Sequence, residues 1–171
     1  MDTSLAIASR RERRRFAARP IPDDVLERIL DAGRLAGTSG NKQPWRFVVV
    51  ESDDVREALA ETVYAPGNVR GAAAVVALVG PPGGRMSAFD AGRIAQNMLL
   101  AAWNEGVGSV PNGMPDSARA GEILGAGEEE GVFMVLAFGY PGRPLDAESR
   151  SRDEWSARAR RKPLEEMIET R

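Results

Sequence analysis

The chain has 171 residues, 43% of them hydrophobic, and a formal charge of −2; this predicts a single domain over residues 1–171 with a real core and no overall attraction to nucleic acid. It contains neither cysteine nor histidine, which excludes disulfides, thiol nucleophiles, Cys/His zinc sites and Ser-His-Asp triads. With no Asp-x-Asp-x-Asp-Gly metal loop either, an enzyme of this composition needs a borrowed group such as a nicotinamide or flavin for its hard chemistry.

Residues 3–10 read as a short helix anchored by Leu5 and Ile7. Residues 10–19 then carry six arginines and one acid, Glu12. On charge alone such a run is a solvated face. Pro20-Ile21-Pro22-Asp23-Asp24 starts a helix, because proline suits the first turn and acids favour its positive end. Val25, Leu26, Ile29, Leu30 and Gly33 follow at helical spacing, predicting a helix over 22–36. Gly37-Thr38-Ser39-Gly40-Asn41-Lys42-Gln43-Pro44-Trp45 comes next. It is richer in small and hydrogen-bonding residues than a turn requires, and reads either as an elaborate helix cap or as a site. Trp45–Val50 is β-branched and apolar, a buried strand.

Residues 52–63 read as a surface helix broken by Pro66-Gly67-Asn68. Ala73–Val79 is a second strand, and Pro81-Pro82-Gly83-Gly84 a loop. The strongest helix covers 87–105, with Ala91, Ile94, Ala95, Met98, Leu99 and Ala102 on one stripe and Leu100 and Trp103 widening it. Gly106 supplies a left-handed stop. Val107–Val110 reads as a short strand before Pro111-Asn112-Gly113-Met114-Pro115, residues 116–124 as a short helix, and Val132–Phe138 as a third clear strand. Residues 150–162 are basic, and the tail is polar up to Pro163–Ile168. Strands alternate irregularly with helices, which predicts an α+β sheet with helices around it. No apolar run reaches membrane-spanning length and no signal-peptide pattern opens the chain, so a cytoplasmic location is expected.

Five stretches, in order over about residues 7–168, resemble the nitroreductase family of FMN-dependent proteins. They are Ser9–Phe16 with the following Pro-x-Pro helix start, GTSGNKQPWRFVVV, Asp90–Ala102, Phe138-Gly139-Tyr140-Pro141 and Arg160–Glu166. The resemblance implies an α+β fold with a mixed, mainly antiparallel sheet flanked by helices. It implies a homodimer with shared sites, bound FMN, and hydride passed from NADH or NADPH to a nitroaromatic, quinone or similar small acceptor by a ping-pong cycle. Other flavin chemistry on the same scaffold and a non-catalytic flavin-storage protein are the alternatives; a nucleic-acid module built on the arginine run is disfavoured by the acidic total.

The resemblance also assigns residues. Arg10, with Arg11 beside it, meets the FMN phosphate, and Arg14 the pyrimidine edge, where a cation stabilises the anionic reduced ring. Thr38, Asn41 and Gln43 lie beside the flavin, whose edge of mixed donors and acceptors suits amides. Trp45 is core. Pro111, Asn112 and Gly113 cover one ring face, and the Gly113 N–H meets N5. Arg161 and its neighbour Arg160 are further phosphate partners; without the resemblance they would read as a solvated tail. Gln96 and Asn97 are expected to bond between helices or subunits rather than to catalyse. No side chain is assigned as a catalytic acid, base or nucleophile. Two positions depart from the family: Gly37 replaces a usual proline, and Glu12 a usual serine that touches phosphate. Either Glu12 turns away to pair with a neighbouring arginine, or FMN binds weakly, or the ligand differs. With no Gly-x-Gly-x-x-Gly segment to inspect, NADH and NADPH stay undistinguished.

Overall fold

A computed structural model describes all 171 residues. In chain order the helices are α1 (Thr3–Ser9), α2 (Asp23–Arg34), α3 (Asp53–Ala60), α4 (Pro66–Arg70), α5 (Arg85–Asn104), α6 (Ser117–Ile123) and α7 (Arg152–Arg158). The strands are β1 (Arg46–Val49), β2 (Ala74–Gly80), β3 (Gly108–Asn112) and β4 (Gly131–Gly139). The chain divides into a central unit, Arg11–Leu145, and a terminal unit made of Met1–Arg10 and Asp146–Arg171.

The central unit is an α+β sheet in the order β1-β2-β4-β3, with every strand pair antiparallel. Glu12 adds an isolated parallel bridge to Ser109, so the sheet is mixed and mainly antiparallel. All seven residues of β2 are buried, because helices cover both faces. Alternation sorts them. Val75, Ala77 and Val79 join Val135 and Ala137 of β4 in a core with Leu59 of α3, Val69 of α4 and Ala120 of α6. Ala74, Val76 and Leu78 point the other way, into a core with Ile29 of α2 and Ile94, Met98 and Leu99 of α5. Gly33 lets α2 and α5 approach closely: a Cβ there would lie 2.5 Å from Met98 Cε.

The stripe read for α5 is borne out, since Ala91, Ile94, Ala95, Met98, Leu99, Ala102 and Trp103 are all buried. Gly106 takes φ 74, the left-handed stop expected after it. Asn97 Nδ2 donates to Ala32 O at 3.2 Å, an interhelix bond as anticipated. Pro66 does more than break a helix; at the first turn its missing N–H costs nothing, so it opens α4. Strand β3 runs further than expected, through Pro111 and Asn112. It ends the strand order, where a proline is tolerated. The register between β2 and β4 shifts at Leu78/Val79 and leaves Phe133 outside the pairing. The Phe133 ring meets Trp45 edge to face, with centroids 5.0 Å apart.

In the terminal unit Asp2 caps α1 by accepting from Leu5 N at 3.0 Å. Ile7, expected as an anchor, is 59% exposed; Ala6 and Ser9 are the buried positions. Helix α7 was hidden in the polar tail. It opens on a capping box in which Ser151 and Glu154 each accept from the other's backbone N–H. Trp155 Nε1 donates to Ala147 O at 2.7 Å and Arg150 lies over the Trp155 ring. No helix is long and apolar enough to cross a membrane.

Candidate functional site

The segment between α2 and β1 folds into a tight, exposed loop. Asn41 N donates to Thr38 O at 2.9 Å, and Gln43 N donates to Thr38 Oγ1 at 2.9 Å. Three residues take left-handed backbone: Gly40 at φ 61, Asn41 at φ 53 and Gln43 at φ 49. Asparagine tolerates this and glutamine resists it, so strain of this kind points to a binding site. A following proline disfavours right-handed helical geometry, and before Pro44 the Gln43 backbone takes the left-handed region rather than the extended one. The Asn41 and Gln43 amides are exposed and touch each other, Nε2 to Oδ1, at 3.3 Å. Thr38 and Gln43 also line a cavity of about 130 Å³ with Gly33, Ala36, Trp45 and Phe47. Trp45 is therefore half-buried, a wall between core and loop.

The segment after β3 divides its residues by direction. Asn112 is 3% exposed, and its side chain is committed inward. Its Oδ1 accepts from Asn68 Nδ2 at 2.8 Å, and its Nδ2 donates to Val135 O at 3.1 Å and Val110 O at 3.3 Å. Its backbone pairs with Val135 in the β3–β4 ladder. Pro111 is half-buried. Gly113 is exposed; its carbonyl accepts from Tyr64 N at 3.0 Å, while its N–H makes no bond within the protein. Tyr64, 78% exposed, lies over this glycine, so that a Cβ on Gly113 would be 3.2 Å from the tyrosine ring. Sequence reasoning missed Tyr64, whose place depends on a backbone bond spanning the fold.

The arginines separate as well. Glu12 has turned to Arg14, with Nη2 and Oε2 2.7 Å apart, the first of the three outcomes open to it. Both line a cleft of about 530 Å³ with Arg13, Arg15 and Arg143. Arg13 lies over the Trp103 ring at 5.8 Å. Arg10 and Arg11 are half-buried. In the terminal unit Arg160 and Arg161 are exposed, and Arg160 has φ 50.

A second residue that the sequence did not reveal is Asp90. It is 5% exposed, near the start of α5, and its Oδ2 accepts from Ser39 N at 2.9 Å. The signal was an acid beside the apolar stripe of its helix, directly before Ala91.

A helix-flanked, mainly antiparallel sheet with polar loops at its strand ends defines an α+β fold. The chain belongs to the nitroreductase family, whose model matches residues 7–81 and 66–140. It is 34% identical over 146 residues to an Archaeoglobus fulgidus protein provisionally named NADH dehydrogenase/NAD(P)H nitroreductase, covering 79% of this chain and 83% of that one. It is 29% identical over 167 residues to the NADPH-flavin oxidoreductase of Vibrio harveyi, covering 87% and 70%. In three dimensions it is similar to a provisionally named nitroreductase of Desulfovibrio desulfuricans solved in complex with FMN. That match has a TM-score of 0.80 at 28% identity and covers 100% of this chain and 98% of that one.

Proposed function

We propose that the protein is an FMN-dependent NAD(P)H oxidoreductase acting as a homodimer, with residues 1–171 serving as one FMN-binding domain. When bound, FMN supplies hydride acceptance and return at N5, between NADH or NADPH and a nitroaromatic, quinone or similar small acceptor, in a ping-pong cycle. The observation that carries this reading is the loop Gly37–Trp45, which holds Asn41 and Gln43 in left-handed backbone, strained at Gln43, with their amides exposed. An enzyme that lends only binding, orientation and electrostatics needs such preset donors.

The residues present fit the group. Asn41 and Gln43 offer donors and acceptors together, and the Thr38 hydroxyl can add another donor. The unengaged Gly113 N–H is a donor at a fixed place, held by the neighbouring Asn112 anchor. Pro111 is half-buried beside it. Arg10, Arg11, Arg160 and Arg161 are proposed partners of the phosphate, which guanidinium matches by its paired N–H groups. Arg14 is proposed at the pyrimidine edge, and Glu12 holds its guanidinium while offsetting part of its charge. Exposed Leu35, Met86 and Phe89 support a second subunit as cover. No side chain has to act as an acid or base.

The test is the absorption of purified protein over about 300–600 nm, recorded anaerobically before and after NADH or NADPH. Flavin bands that bleach are expected. Bands that persist with both donors would instead indicate flavin storage, and no bands after added FMN would refute the cofactor.

A further inference from the structure

The ligand loop holds a shape that Gln43 resists, yet it starts at the most flexible residue type. Gly37 is exposed, and Gly40, Asn41 and Gln43 all lie at positive φ. The bonds from Asn41 N and Gln43 N to Thr38 give the loop its form. They do not attach it to the rest of the fold. Attachment comes from α5. Asp90 Oδ2 accepts from Ser39 N at 2.9 Å, across 51 residues of sequence. One turn further, Arg93 reaches back over the loop's first residue, and a Cβ on Gly37 would lie 2.6 Å from Arg93 Nη2.

The choice of residue at 90 is informative. One backbone N–H is served by any acceptor, and a buried carboxylate is costly unless its charge is met. Asp90 Oδ1 is buried without a hydrogen bond, and Arg93 Nη1 stands 3.9 Å from it. The carboxylate therefore does two things together. It makes a charge-assisted bond to Ser39, stronger than a neutral acceptor would, and it faces the guanidinium that packs against Gly37. A side chain at 37 would meet the end of the Arg93 guanidinium, which would have to move.

We propose that Asp90 and Arg93 form a clamp that fixes the Thr38–Gln43 loop in its ligand-ready shape, making them positioning residues for the cofactor. The clamp gives a glycine-started loop the stiffness that its sequence lacks. Its geometric half stands on the structure alone, and its ligand half rests on the FMN reading above.

The experiment measures two quantities on the full-length protein: amide hydrogen exchange with FMN removed, and FMN affinity by fluorescence quenching. Asp90→Ala should speed exchange over residues 37–43 by about ten-fold, with the β2 and β4 amides little changed. It should weaken FMN binding by about ten-fold per folded molecule, the effect of losing a preset donor loop. Asp90→Asn, which keeps an oxygen for Ser39 but loses the charge that meets Arg93, should recover part of both. A merely structural role for Asp90 would instead lower Tm and speed exchange throughout the central unit, without a specific loss of affinity or rescue by asparagine. Unchanged exchange over 37–43 in Asp90→Ala overturns the clamp. Faster exchange with unchanged FMN affinity overturns its positioning role. If Asp90→Ala does not fold, Gly37→Ala on the exposed loop displaces Arg93 and is read by the same two criteria. Wild-type protein that binds no FMN would overturn the cofactor reading and the ligand half with it, while exchange still decides the clamp.

Discussion

Asn112 separates a structural role from a ligand-binding one, and its replacement by alanine tests which it has. The change removes an acceptor 2.8 Å from Asn68 Nδ2 and donors to Val135 O and Val110 O. Asn68, itself 8% exposed, is left with an unpaired buried amide, which costs about 1–3 kcal/mol. The two carbonyls lose less, since the 3.3 Å contact to Val110 is long for a hydrogen bond. Space emptied by the missing carboxamide adds to the loss. Together these give about 3 kcal/mol, equivalent to a Tm lower by about 6–12 °C for a chain of this size. Urea unfolding of Asn112→Ala, Asn68→Ala and the double variant supplies the measurement, with a coupling of about 1–2 kcal/mol expected between the two positions. FMN affinity of the folded variant should stay within about three-fold of wild type, because the side chain at 112 is committed to Asn68, Val110 and Val135. Stability changed by less than about 0.5 kcal/mol, together with lost FMN, would refute the reasoning and put the side chain in the site.

Acid should weaken a second anchor. The hydrogen-bonded Arg46 guanidinium first, and then the Gly127 N–H, hold the Glu130 carboxyl at about 2 against an ordinary 4.5. A folded value below the unfolded one stabilises above the unfolded value, and that contribution fades as pH falls from 4.5 towards about 2. Glu130→Gln should flatten the stability profile across that window, and an unaltered acid limb would reject the pair. Glu12→Ser frees Arg14 and removes a carboxylate from its cleft; FMN should bind up to about five-fold tighter at low salt, the worth of an exposed ion pair, and weaker binding in a titration would reject that role. Gly33→Val places atoms where Met98 sits and should cost about 1–3 kcal/mol by overpacking α2 against α5; unchanged urea stability would show that the Met98 side chain yields freely.

Much of the frame was legible because it obeys local periodicity. The α5 stripe repeats at helical spacing, and β2 is apolar at every position, as a strand covered on both faces must be. Errors arose where one residue serves two structural grammars. Pro66 ends one segment and begins another, and Pro111 reads as a turn but lies at a sheet edge. Helix α7 was missed because its few apolar residues gave no stripe, although Ser151 and Glu154 carried a capping-box signature that needs none. Asn112 and Gly113 are adjacent in the motif, yet strand alternation turns one inward while the chain leaving the strand exposes the other.

The candidate site was legible as residue types and illegible as geometry, for a physical reason. Thr38, Asn41 and Gln43 can be picked out because small and amide residues before a Pro-Trp pair are unusual for a turn. The left-handed backbone at Gln43 is not a local preference. It depends on a carboxylate 51 residues later that meets Ser39 N, and on a guanidinium three residues beyond it that occupies the space over Gly37. In sequence Asp90 and Arg93 look like the polar flank of a helix. In the fold Asp90 bonds the loop at Ser39 N and Arg93 packs on Gly37. Local strain at Gln43 can persist only if distant groups over-determine it, so residues that set a binding loop's shape lie outside the motif that announces it. If that argument is sound, Asp90→Ala loosens residues 37–43 even though every residue of the motif is unchanged.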